Sequence, residues 1–189
     1  MFDDVAGRVL GIDPGLSRCG YGAITASRGD LRATAYGVIR TPAEAPVPER
    51  LAMLQRELEA LIDDVRPELV AVERVLFQTN VRTAMSVGQA SGIALATAAL
   101  RSVPVAELSP NEVKLAVSGY GAADKAQVQA MVTRLLGLAS VPSPPDAADA
   151  LALAICATTG RARRTAADGH PVSDRYAAAV AAAVAKEER

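Results

Sequence analysis

Arg8-Val-Leu-Gly-Ile-Asp13, stopped by Pro14-Gly15, and Leu69-Val-Ala-Val-Glu73 are two short apolar runs of strand length, each ending in a carboxylate. Between them Leu51, Leu54, Leu58, Leu61, Ile62 and Val65 form a stripe at helical spacing from Pro48 to Val65, and Pro67 ends it. Strand, helix and strand in that order predict a βαβ crossover and a parallel pair. Outward from this unit, residues 20–26 and 32–40 read as strands joined by a hairpin at Arg28-Gly29-Asp30. Residues 80–100 read as a long helix built on Gly88, Ala90, Ser91, Gly92 and Ala94, followed by a strand at 103–107. Ser109-Pro-Asn-Glu112 carries the cap residue, the first-turn proline and the glutamate that open a helix, which ends before Gly119-Tyr-Gly121. Another helix starts near Asp124, turns Val128, Met131, Val132, Leu135 and Leu136 inward, and stops at Gly137. Ser143-Pro-Pro145 opens a last one to about Ala157. The predicted class is α/β, with a mixed five-stranded sheet flanked by helices: an antiparallel meander extended by parallel strands. One domain is expected over residues 1–158, and an Arg/Ala-rich tail without amphipathic pattern over 159–189.

The composition narrows the chemistry. A chain of 189 residues with 50% hydrophobic side chains supports one core without disulfide or structural metal. Cys19 and Cys156 each sit in an apolar segment and read as small buried hydrophobes. The start, Met1-Phe-Asp-Asp-Val, is acidic where a signal peptide is basic, and no apolar stretch is long enough to span a bilayer, so a cytoplasmic protein with no membrane partner is expected. His170 is the single histidine, which excludes zinc clusters and leaves a histidine-based hydrolase only that residue. Four tyrosines, two phenylalanines and no tryptophan give little material for stacking successive bases of an extended strand. Charge is uneven. Between Glu73 and Glu107 there is no acid while Arg74, Arg82 and Arg101 fall there, and between Asp124 and Asp146 there is none beside Lys125 and Arg134. A polyanion fits that middle third, although solvated faces of ordinary helices give the same pattern.

Carboxylates are what remains plentiful. An aspartate before Pro-Gly serves a turn equally well, but Glu73 closes a run that otherwise looks fully buried, where a lone charge is costly unless a cation meets it. In a sheet ordered 3-2-1-4, Asp13 and Glu73 end side by side at one edge. Asp146 and Asp149, three apart, share a helix face that would close over them; interaction with the helix dipole is the alternative account of that pair. Four clustered carboxylates raise one another's pKa unless cations join them. Two magnesium ions would balance them, and oxygen-only ligation suits that metal. Such a site hydrolyses a phosphodiester without histidine.

At these residues the chain resembles a known family. Gly11-Ile-Asp-Pro-Gly15, Cys19-Gly-Tyr-Gly22, Ile39-Arg-Thr-Pro42, Val72-Glu-Arg-Val75, Gly88-Gln-Ala-Ser-Gly92, the stretch from Val117 to Val128 and Asp146-Ala-Ala-Asp-Ala-Leu151 are similar, in order, to the motifs of RuvC, the bacterial Holliday junction resolvases, over about residues 8–158. The resemblance implies an RNase H-like fold, a homodimer, and magnesium-dependent cutting of two strands of like polarity at a four-way DNA junction, with manganese able to substitute. It implies Asp13, Glu73, Asp146 and Asp149 as the catalytic, metal-binding tetrad with two ions per site, Lys114 and Lys125 near the DNA, and the RuvA–RuvB branch-migration complex as a partner. Surface decoration of a helix is the plain alternative for both lysines. The chain departs from the family three residues after Glu73, where an aromatic usually stacks at the junction centre. Leu76 stands there and Phe77 follows; the expected wedge is Phe77, alone or with Leu76, on a loop running to Arg82, and core packing is its alternative.

Three other readings compete: an RNase H-like nuclease acting on structured RNA in pre-rRNA processing, an actin-like sugar or acetate kinase, and a catalytically silent junction-binding subunit. The kinase would need two such domains, and the presence of all four carboxylates opposes the silent subunit.

Overall fold

Alternating burial along the first strand sorts the molecule into layers. In the computed structural model, which describes residues 7–27, 29–74 and 81–158 without the side chains of 81–83, β1 (Gly7–Asp13) turns Val9 to one face and Leu10 and Ile12 to the other. Antiparallel β2 (Arg18–Ser27) and β3 (Asp30–Arg40) extend the sheet on one side of β1, and parallel β4 (Leu69–Glu73) and β5 (Val105–Leu108) on the other. The order is β3-β2-β1-β4-β5, the mixed sheet expected. β5 begins at Val105 and not at 103, because Pro104 has no N–H for the ladder and contributes only its carbonyl, which accepts from Val70.

Two helices cover the face that holds Leu10, Ile12, Val70 and Val72. α1 (Val47–Val65) buries Leu54, Leu58 and Ile62, and Arg66, left-handed at φ 48°, closes it with an N–H to the Ile62 carbonyl. Arg50 lies on the same buried line, which the leucine stripe did not foretell. Its guanidinium donates to Thr41 Oγ1 at 2.9 Å and to Ser17 Oγ at 2.5 Å, pinning the loop after β1 to the end of β3. α2 (Val81–Leu100) lays Ala90, Ala94 and Ala98 into the same layer.

The opposite face carries α3 (Pro110–Ser118), α4 (Lys125–Leu135) and α5 (Pro145–Ala157). Reciprocal capping boxes start two of them, Ser109 with Glu112 and Asp124 with Gln127. From Ala147 to Ala157 every residue of α5 except Asp149 is buried. Its backbone lies directly on the sheet at glycines: a Cβ on Gly11 would stand 2.0 Å from the Ala150 carbonyl oxygen, one on Gly20 2.2 Å from that of Asp146, and one on Gly22 2.7 Å from the Leu151 nitrogen. Cys19 and Cys156 form no disulfide and are buried in clusters on opposite faces of the sheet, and desolvation pushes both thiols up to about 12. No helix among the described residues is long and apolar enough to cross a membrane.

Candidate active site

Strand alternation carries Asp13 and Glu73 to the α5 face. Val9, Gly11 and Asp13 of β1 point that way, as do Leu69, Ala71 and Glu73 of β4, and the parallel register Ile12 with Val72 sets the two carboxylates side by side. α5 brings Asp149 over them one helical turn from Asp146. Asp13, Glu73 and Asp149 line a cleft of about 220 Å³ together with Lys114 and Val113 of α3, Lys125 and Val128 of α4, and Pro110, Ala152 and Leu153.

Burial and neighbouring charge both act on the two strand carboxylates. Burial, then the charges of Glu73, Asp149 and Asp146, raise the pKa of Asp13 to about 7, against which Lys125 works weakly. Glu73 is raised too, by burial first and by Asp149, while a hydrogen bond from Asp13 opposes the rise. Two cations answer the negative charge. Lys125 Nζ donates to Asp149 Oδ2 at 2.7 Å, and that bond raises the lysine's own pKa. Arg18 donates through Nε and an NH2 group to the same oxygen of Asp146, Oδ2, at 3.1 and 2.5 Å.

The four predicted carboxylates therefore gather at one sheet edge, but not as one symmetrical cluster. Three share the cleft; Asp146 turns to Arg18 at the start of β2. With the side chains so paired, no three carboxylates among the described residues converge at metal-ligating distance. The donor set nevertheless fits a hard divalent ion: it is all carboxylate oxygen, and Asp13, raised by burial first and then by three neighbouring acids, lies in a site that favours added positive charge. Lys114 and Lys125 both reach the cleft, from the two helices expected to supply them. Arg82 falls in the first turn of α2, its side chain outside the described residues, and Leu76 and Phe77 lie outside them entirely.

Arg18 and the apolar walls Val113 and Leu153 were missed by sequence reasoning, which read Val128 only as an inward-facing core residue. A signal for Arg18 existed: Gly20 pairs with Asp13 in the antiparallel register, so a residue two earlier on β2 sits just beyond the carboxylate end of β1.

Comparison with known proteins gives one consistent answer. Residues 9–157 match the family described as crossover junction endodeoxyribonuclease RuvC. A curated relative of that name from Leifsonia xyli is 58% identical over 151 residues, covering 79% of this chain and 72% of its own. One from Rhodococcus opacus is 50% identical over 183 residues, covering 96% of this chain and 92% of its own. Among solved structures, Thermus thermophilus RuvC in complex with a Holliday junction substrate superposes with a TM-score of 0.79 at 35% identity, over 85% of this chain and 98% of that one. The yeast mitochondrial Holliday junction resolvase Ydc2, at 17% identity and a TM-score of 0.60 over 79% of this chain and 77% of that one, shares the fold. The RNase H-like architecture expected from the motifs is present, and the RNA-processing alternative finds no support in these relatives. The chain belongs to the RuvC family of crossover junction endodeoxyribonucleases.

Proposed function

We propose that this protein resolves four-way DNA junctions by paired, metal-dependent hydrolysis of phosphodiesters in two strands of like polarity, in homologous recombination and DNA repair. The observation that carries the reading is the cleft in which Asp13, Glu73 and Asp149 face Lys114 and Lys125, in a chain of this family. Asp13, Glu73, Asp146 and Asp149 would hold two magnesium ions, or manganese in their place. Bound there, the metal supplies Lewis-acid activation of water and stabilisation of the leaving oxygen. The chain's own part is charge and placement. Lys125, from the first turn of α4, and Lys114 offer ammonium groups to the phosphates flanking the cut, and Val113, Val128 and Leu153 keep the lysine stems and the carboxylates in a partly dry wall. Leu76 and Phe77 are proposed, on sequence alone, as the wedge at the junction centre, with Arg82 on the backbone beside them.

Two equivalent phosphates call for a two-fold dimer. The face of α2 formed by Met85, Gly88, Gln89, Gly92, Ala96 and Ala99 is exposed and carries no charge, and a Cβ on Gly88 or Gly92 would meet nothing within 4 Å. Those glycines are not spent on the protein's own sheet, and the occupant proposed for the face is a second copy of this chain. Cytoplasmic residence, a nuclease domain over 1–158 with a separate tail over 159–189, and association with RuvA–RuvB complete the reading; the family match ending at residue 157 supports the division.

The test compares a synthetic four-way junction, a linear duplex and an RNA hairpin, each with and without magnesium. Symmetrical paired cuts in the junction alone, and only with metal, are expected. Equal cutting of the hairpin, or metal-independent cutting, would refute the proposal.

A further inference from the structure

The loop that joins the two lysine-bearing helices of the cleft is left unused by the proposed chemistry. α3 and α4, which bring Lys114 and Lys125 into it, are joined by residues 119–124, and that loop is tied along its length. Gly119 is left-handed at φ 75° with its N–H on the Leu115 carbonyl. Ser118 Oγ donates to the Lys114 carbonyl at 2.7 Å and accepts the Tyr120 N–H at 3.3 Å. The buried Ala123 donates its N–H to the Tyr120 carbonyl, and Asp124 caps α4. Gly121 faces the carbonyl of Asn111, beside Pro110 in the cleft wall.

On this fixed loop Tyr120 is 63% exposed, and Leu115 of α3 is 52% exposed. A tyrosine left largely exposed by a backbone held on both sides covers little core. It stands on the loop between the two helices whose lysines line the cleft, and a strand whose phosphates lie along those lysines would present sugars and bases near that loop. Aromatic contact of this kind accepts any base, since each has a π-face.

We propose that Tyr120 is a substrate-positioning residue: its ring lies against the sugar or base of the nucleotide beside the phosphate to be cut and fixes how deep the strand sits. The inference rests on the reading of the cleft as a DNA-strand site. Misplacement of a reacting group by about an ångström costs up to 10²-fold in rate, so the effect belongs to cutting more than to binding.

The experiment uses the full chain and a synthetic junction with 2-aminopurine beside the cut position mapped with the unaltered protein. Tyr120→Ala should slow cutting at saturating protein about tenfold, keep affinity within about threefold, and abolish the change in 2-aminopurine fluorescence on binding. Tyr120→Phe should retain all three, and both variants should melt with the parent, since the ring is exposed. Parental cutting by Tyr120→Ala, or a loss in Tyr120→Phe as large as in the alanine variant, would overturn the assignment. If the unaltered protein left the junction intact, the reading of the cleft itself would fall, and that outcome is seen before any variant is made.

Discussion

Asp13 costs the fold stability in exchange for its place in the cleft. A carboxyl whose pKa rises on folding from 3.8 to about 7 favours its neutral form in the folded state, so the protein loses stability as pH climbs from about 4 to about 7 and holds level above. Asp13→Asn removes that loss. In chelator, the variant should melt above the parent at pH 8, by an amount equivalent to roughly 2–4 kcal/mol, with the gap closing toward pH 4. Its junction cutting should be abolished and its junction binding kept or strengthened, since a negative charge facing phosphate is gone. Melting curves without a pH-dependent gap would mean that Asp13 does not feel its neighbours as argued. Arg18 acts one step further out. It holds a single oxygen of Asp146 with two donors, and both side chains are partly exposed. An exposed pair of this kind contributes about 1 kcal/mol or less to stability. Arg18→Ala should therefore move the melting temperature little, while slowing junction cutting about tenfold. An equal loss in Arg18→Lys would show that geometry matters as well as charge; unchanged cutting in Arg18→Ala would remove the residue from the site.

At the scale of elements, the docking of α5 sets the spacing of the carboxylates. Asp146 and Asp149 ride on a helix whose backbone touches Gly11, Gly20 and Gly22, so their distance from Asp13 is fixed by main chain against main chain. Gly11→Ala would place a methyl within 2.0 Å of the Ala150 carbonyl and push the helix outward. The cost should reach about 3 kcal/mol, the upper end for overpacking, seen as a melting temperature lower by roughly 10 °C and as a cutting defect even where the protein is fully folded. A variant that melts and cuts like the parent would mean that α5 has room to slide. These elements show what was legible and what was not. The order of the strands and the pairing of Asp13 with Glu73 could be read off because βαβ handedness and strand alternation are local rules with global consequences. The capping residue Ser109 announced α3 for the same reason, and the start of α4 near Asp124 was read without its cap. The sheet-side glycines were legible only as motif letters, since what presses on each comes from residues more than a hundred positions away. Arg18 was hidden likewise: the i, i+3 spacing of Asp146 and Asp149 puts them on one face, but a cation from β2 decides which way Asp146 turns.

For the whole molecule, the sheet divides two tasks. One face holds α3, α4, α5 and the cleft; the other holds α1 and α2, with the uncharged side of α2 turned outward. If a second copy covers that side, Gly92→Glu should leave the melting temperature of the isolated chain nearly unchanged, because the position opens to solvent. Sedimentation at micromolar concentration should then shift from dimer to monomer, and paired cuts should give way to single nicks. A dimer of unaltered strength in that variant would move the interface elsewhere.

α5 is also the last helix of the described fold, and until it arrives that face of β1, β2 and β4 lacks the helix whose backbone lies directly on it, and Asp13 and Glu73 lack Asp146 and Asp149. On the proposed reading of the site, a copy still being synthesised, or one ended early by a premature stop before residue 145, should therefore cut no junction at all, and its partly uncovered sheet should make it a target for degradation. The order in which the chain is written acts as a safety catch.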